Sequence, residues 1–436
     1  MRIPKGPTIA KARELIKNDP QQGWVDLVLQ YGNSHMAQTG LATCDPDIVN
    51  TLLMDRIHTQ ERSGIYKFTS RLVPGSPGVL FMDGDSWKKH VAAVMPVFTK
   101  ANIEAYGKCI HETVTDFMKE RVDGEKIDDL YVFLTQLGLR VVLKVGYGLD
   151  PDEPIAAEYG KELMDYKLST MTSKYRIDEI ALSAKQLLML PSLLIFFGRL
   201  RKMMYRQERL VGTIIASRNN KAQENVDWIN LLSKAGMPLT TVTNELNHIY
   251  GAFNAIDYTI TCAFYELARH PEWVQVLREE FENVLQEKQY PDREDIMRLR
   301  NVTNFMKEVY RYYPVAIGVM RQTGKPLEVN GTWYPANKEV MILVQSLHHH
   351  PAFWKAPKVF NPNRWNEPMV EPKAFIPFLI GPRQCIGKHL AELHFIITLH
   401  ALLKNWDILV EDKNIPIVPF IIPRFAKPMP AVIKKT

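Results

Sequence analysis

Between Phe378 and His389 the chain reads FLIGPRQCIGKH, one cysteine framed by glycines and preceded by an arginine. Sulfur acts chemically as a thiolate, and a ligating thiolate needs a positive setting and backbone N–H groups aimed at it. Gly381 and Gly387, four residues before and two after Cys385, permit unusual backbone angles and the close approach of a flat partner. The sulfur also precedes an amphipathic helix and gains its N-terminal dipole. Arg383 is placed to neutralise a carboxylate on whatever binds. On glycines and arginine alone, a buried free cysteine in a loop is the favoured reading of the stretch.

Two further clusters have spacings that invite chemistry. Glu308 and Arg311 form ExxR, one helical turn apart on a single face, a pattern that also describes a surface ion pair. His348, His349 and His350 look like metal ligands, but successive residues in extended chain point to alternate sides, so a structural turn is the reading. The other cysteines, Cys44, Cys109 and Cys262, form no CxxC pair with one another or with Cys385, and neither a disulfide framework nor a zinc site is indicated.

The elements that must position these groups are mostly helical. Helical periodicity marks VDLVLQYG, WKKHVAAVMPVF, Ile103 to Arg121 and LTQLGLRVVLKVGYG. The longest helix is expected over Leu239 to Arg269, apolar nearly all round and closed by His270-Pro271. Further helices are expected at Pro271–Glu287 and Asp292–Tyr312, and a last one over IGKHLAELHFIITLHALLKNW. Strand signals cluster after Pro314, with Asn330-Gly331 as a hairpin turn. The fold class is mainly α with a small antiparallel β subdomain.

The chain has 436 residues, 46% of them hydrophobic, and no linker or repeat divides it. It reads as a single catalytic domain over 1–436, with 1–23 as a lead-in. The net charge of +6 is spread along the sequence, which argues against nucleic acid and suits an acidic partner. The N-terminus has no apolar core, and the apolar run Leu187–Phe197 is too short to span a bilayer. The chain as given is expected to be cytoplasmic or peripheral to a membrane, with an anchor on a longer natural chain left open.

The string FxxGxRxCxG, carried by Phe378, Gly381, Arg383, Cys385 and Gly387, resembles the haem-binding signature of the cytochrome P-450 superfamily. Arg364 in FNPNRW falls where that family has the third member of a buried Glu–Arg–Arg network with Glu308 and Arg311. YYPVAIGVMR and HHHPAFW fall at its post-helix strand and its turn. The resemblance runs from about Trp24 to the C-terminus. It implies haem b with Cys385 as axial thiolate, a long central helix over the haem, and Trp87, His90, Arg321 and Arg383 around the propionates. It also implies O2, electrons from a ferredoxin and its reductase or from a flavoprotein reductase, and oxygen insertion into a lipophilic small molecule.

The chain departs from the family's pattern twice. Where the central helix usually carries [AG]Gx[DE]T[TS], this sequence has Gly251, Ala252, Phe253, Asn254, Ala255 and Ile256, so an amide replaces the acid and a methyl the hydroxyl. Thr259, one turn on, or a substrate hydroxyl with ordered water is expected to assist. Asp257 faces away in a regular helix, unless a π-bulge rotates it. On WKKHV, Trp87 is followed by Val91 where the family has arginine.

Expected pocket residues are Phe68, Leu80, Ala252, Phe253, Ala255, Val315, Ile317 and Ile421, nearly all apolar, which suits a terpenoid, steroid, fatty acid or polyketide. The run LLMLPSLLIFFGRLRKMMYR lies where the family has a lid, and its Arg199, Arg201 and Lys202 also suit a membrane surface. Lys88, Lys89, Lys388 and Lys404 form either a docking patch for a redox partner or ordinary solvated charge. Three functions stay open: a monooxygenase fed by redox partners, a peroxide-driven or isomerase/dehydratase-type haem-thiolate enzyme acting on (hydro)peroxides, and a haem-binding protein without turnover.

Overall fold

The computed structural model describes residues 3–19, 21–38, 40–59, 78–172, 190–218, 227–418 and 422–436. Its axis is the helix Leu239–Arg269, as expected from the pattern, and it is α-helical throughout, with no π-bulge. One neighbour is the helix Leu130–Tyr147, capped by Asp129, whose carboxylate accepts from the Tyr131 N–H (3.0 Å), and ended by left-handed Gly148. That neighbour is long and apolar enough to cross a bilayer, yet 72% of it is buried within the protein. It serves as a core helix. Gly138 on it meets the central helix so closely that a Cβ there would collide with the Asp257 carboxylate.

A third helix, Lys388–Leu403, follows the cysteine loop and has no polar face over its length. Burial on every side explains this, because it is packed against Lys100–Lys119 and the central helix at once. The segment expected as one helix over Asp292–Tyr312 is two, Arg293–Arg298 and Arg300–Tyr312, broken at buried Leu299. The Glu280 carboxylate makes the break stable, since it accepts from the first free N–H groups of the second helix, those of Asn301 (2.9 Å) and Val302 (2.8 Å).

The sheet content is small and mainly antiparallel, with one exception. Strands β1 (Ser34–Ala37), β2 (Gly40–Thr43), β4 (Val319–Gln322) and β7 (Glu339–Ile342) form a sheet in the order β1-β2-β7-β4. The pair β2–β7 is parallel, with Leu41 opposite Val340. A parallel pair needs a long crossover, and here it is most of the chain. Strands β5 (Leu327–Val329) and β6 (Thr332–Tyr334) form the expected hairpin, with Asn330 (φ 51°) and Gly331 (φ 72°) both left-handed as a type I′ turn requires. Strand β3 (Glu125–Ile127) joins β8 (Trp406–Val410) through β11 (Ala431–Lys435), and β9 (Ile417–Val418) pairs with β10 (Arg424–Phe425).

The ExxR pair is no surface ion pair. Glu308 and Arg311 are fully buried, and the Glu308 carboxylate accepts from Arg311 Nε (3.0 Å) and Nη2 (2.7 Å), Arg364 Nε (2.9 Å), Trp365 Nε1 (3.1 Å) and the Asn361 N–H (2.9 Å). The two guanidiniums spend their other N–H groups on carbonyls of His348, Pro357, Val359, Lys355 and Ala356. One carboxylate thus pins a long stretch of irregular chain to a helix. Next to it the histidine run is structural: His348 Nε2 accepts the Ile376 N–H (3.1 Å), and burial followed by repulsion from Arg311 lowers its pKa to about 3.

Candidate functional site

The loop 378–387 bends sharply around its cysteine. Leu379 (φ 57°) and Gly381 (φ 77°) are both left-handed, and the Cys385 N–H returns to the Phe378 carbonyl (2.9 Å). Glycine at 381 is required twice, by its φ and because a Cβ there would collide with the Leu53 carbonyl oxygen. Phe378 is held edge-on by Tyr310, ring centroids 5.1 Å apart. The Cys385 side chain is accessible, while burial around it pushes the thiol pKa up and the Gly387 N–H aimed at the sulfur lowers it.

Ala255, Ile256 and Thr259 line one wall of a slot whose other lining residues include Pro377, Phe378, Ala391 and Val315. Beside the sulfur, a Cβ on Gly387 would make ordinary contacts with Phe98 at 3.6 Å and with Cys385 Sγ at 4.0 Å. On the cation side, the Arg383 guanidinium stacks 3.9 Å from the Trp87 ring centre and donates to the Met82 carbonyl (2.8 Å) and Asp83 (3.2 Å). Arg321 is buried on β4 and donates to the Met320 carbonyl (2.9 Å).

These residues fit a flat metal-bearing macrocycle with carboxylate edges. Burial disfavours a bare thiolate, so a cation bound at the accessible sulfur is what would hold Cys385 ionised. The profile of the cytochrome P450 family matches residues 33–429. The chain belongs to the cytochrome P450 family. It is 24% identical to "Cytochrome P450 3A7" of Homo sapiens over 401 residues, covering 85% of this chain and 77% of that one. It is also 24% identical to "Cytochrome P450 3A25" of Mus musculus over 437 residues, covering 90% and 82%. As a P450 it is a haem b-dependent monooxygenase, working with O2 and redox partners.

Several expected site residues sit elsewhere than the sequence suggested. Phe253 is no pocket residue: it packs between Trp228 (5.6 Å) and His394 (5.4 Å), because two residues along a helix carry it well round from Ala255. His90 does not stand free for a propionate, because its Nε2 lies 2.6 Å from the Glu245 carboxylate. Ile317 lines a separate crevice with Tyr258, Tyr313 and Pro314. Ala252 is exposed on the central helix, Leu80 is exposed on the short segment beside it, and Phe68 and Ile421 lie outside the described residues.

Around the lost acid–alcohol pair, the P450 has little left to offer. Asn254 has a buried Oδ1 without a hydrogen-bond partner. Thr259 shares the slot with Ala255, but its hydroxyl donates to the Ile256 carbonyl (2.9 Å). Asp257 is buried against Gly138, on the face away from the slot. Sequence reasoning missed Glu245 and His248 altogether, although a carboxylate and an imidazole three residues apart on the central helix were there to be read.

Proposed function

We propose that the Cys385 thiolate would hold the haem iron and that this P450 hydroxylates a lipophilic small molecule at the slot bounded by Ala255. The observation that carries the reading is the cysteine loop: an accessible sulfur, one N–H aimed at it from Gly387, and a glycine in place of any side chain that would shield it. When bound, the haem supplies the redox chemistry by which O2 is split, one atom going to substrate and one to water.

The chain's own residues prepare that chemistry. Gly387 donates to the sulfur and moderates its basicity, as a neighbour of a metal ligand does. Arg383, fixed by Trp87 and two oxygen acceptors, and buried Arg321 supply positive charge for the carboxylate edge of the macrocycle. Gly251, Ala252 and Ala255 leave the accessible face of the central helix almost without side chains, so a bulky apolar substrate can lie against it. Asn254 offers an acceptor for water but no ionisable proton. Glu308, Arg311 and Arg364 hold the segment leading to the cysteine. Lys88, Lys89, Lys388 and Lys404 offer positive charge to an acidic ferredoxin or a flavoprotein reductase. Contact of the 187–206 run with a membrane surface belongs to this proposal, with Arg201 laid over Tyr205 (5.6 Å).

Carbon monoxide added to the reduced holoprotein tests the ligand: a red-shifted Soret band typical of thiolate is expected and should vanish in Cys385→Ser. A Cys385→Ser protein that kept the band would end the proposal. The amide and methyl at 254 and 255 favour one second reading, turnover driven by peroxide. Product formed with peroxide but not with a reductase and O2 would select it.

A further inference from the structure

We infer that Glu245 and His248, with His90, form an acid–base cluster that supplies protons to the chamber beside Ala255. The inference rests on the monooxygenase reading above. That reaction consumes protons: R–H, one O2, two electrons from the reductase and two protons become R–OH and water. Of the hydroxyls lining the slot, Thr259 and Tyr313 already donate to the Ile256 carbonyl and to Glu266, and burial holds the Tyr310 phenol protonated, so a group that both releases and regains a proton must stand at its border.

The central helix shows where. Between Val242 and Leu267 it is buried except at Asn247, His248, Gly251, Ala252, Asn254 and Ala255, a stripe with helical spacing. His248 and Ala255, seven residues apart, lie within about 20° of each other on that stripe and about 10 Å apart along the axis. The other side-chain acids of this helix are committed elsewhere. Asp257 is pressed against Gly138, and Glu266 pairs with Arg269 (2.6 Å) and Tyr313.

The cluster is closely built. The Glu245 carboxylate, 3% exposed, accepts from the Val79 N–H (3.0 Å) and stands 2.6 Å from His90 Nε2. Gly78 shows how near the second imidazole is: a Cβ on it would collide with His248 Nδ1 and come within 2.7 Å of Glu245 Oε1. His248 Nδ1 is buried and has no hydrogen-bond partner, while its ring leans on Phe81 at 5.5 Å. The His248 pKa is lowered, chiefly by burial and also by His90, with Glu245 opposing, so the imidazole readily gives up a proton it receives. His90 lies on the helix Gly84–Val94 next to exposed Lys88 and Lys89, and His248 lies on the stripe that leads to Ala255. A proton enters at His90, crosses the Glu245 carboxylate to His248, and leaves along water or a substrate hydroxyl on the stripe; solvent replaces it at His90.

The test uses the holoprotein with Glu245→Gln, which keeps an oxygen for the Val79 N–H, and His248→Gln, which leaves the bonds of Glu245 in place. Product per electron pair should fall on the order of tenfold or more in each, while the spin-state shift on substrate binding stays as in the parent. Independently of turnover, histidine-labelled nuclear magnetic resonance on the reduced, carbon monoxide-bound protein should show the His248 titration moving to lower pH in Glu245→Gln, because an attracting anion is gone. Unchanged coupling, an unmoved His248 titration, or a loss of substrate binding in step with product, as a merely structural latch would give, overturns the inference. Failure of the P450 reading itself would show separately, as a parent protein without the thiolate band.

Discussion

Glu308→Gln should be among the most damaging single-atom-class changes available in this protein. The carboxylate receives five donors, three from guanidiniums, one from an indole and one from the backbone. An amide of the same shape keeps one acceptor oxygen and turns an NH2 toward N–H groups that cannot accept. It also leaves Arg311, with no exposed side-chain surface, and Arg364, at 10%, as two buried cations without an anion. Breaking a buried pair from one side typically removes about 3–5 kcal/mol. The carbonyls of His348, Pro357 and Val359 still hold Arg311, which favours the lower part of that range. Urea titration followed by tryptophan fluorescence reads it directly, since Trp354 and Trp365 stand 5.6 Å apart beside the network and Arg311 lies over Trp354 at 5.3 Å. Adding Arg311→Met removes one orphaned charge and should recover part of the loss, giving a coupling of about 1–3 kcal/mol. A single-variant loss below about 1 kcal/mol, against the range for broken buried pairs, or strict additivity in the double variant, would refute the view that this carboxylate braces the segment before Cys385.

Gly381→Ala should sharply reduce the yield of folded protein, because both φ and the Leu53 carbonyl oppose it; Gly387→Ala, with only ordinary contacts to Phe98 (3.6 Å) and Cys385, should fold and instead weaken haem retention in a haem-transfer assay. Acid should destabilise the protein early. His348 and His394 have pKa values lowered to about 3 and His400 to about 4, chiefly by burial, so each is neutral when folded but protonates near 6.5 when unfolded. The unfolded state binds more protons there, and stability falls as pH drops below 6.5 toward the folded values, by about 1.4 kcal/mol per histidine at pH 5.5. Denaturation midpoints flat from pH 7 to 5 would contradict this. Gly138→Ala should loosen the central helix and lower the melting temperature without changing the thiolate band, since its collision is with Asp257 on the far face from the slot.

What the sequence revealed and what it hid divides by distance along the chain. The cysteine loop, the ExxR turn, the Asn330-Gly331 hairpin and the ends of the central helix are each specified within a few residues, by turn chemistry or by apolar spacing. Contacts made across the chain left no such trace. His90 reads as a haem-contact candidate until Glu245, 155 residues later, is seen beside it. The break at Leu299 depends on Glu280, and the parallel pairing of β2 depends on β7. Phe253 looked like pocket lining because it is apolar and only two residues before Ala255; only its rotation about the helix, toward Trp228 and His394, assigns it to the core.

The union of Leu41 with Val340 also governs how the chain must be made. On a ribosome the first hairpin emerges well before its partner strand, by roughly 15–60 s at ordinary elongation rates. Throughout that interval the outer rim of β2 offers open N–H and C=O groups to any passing strand. Newly synthesised chains of this protein therefore depend on protection of their first fifty residues until translation is nearly done, and fragments ending before β7 should cling to chaperones or to one another.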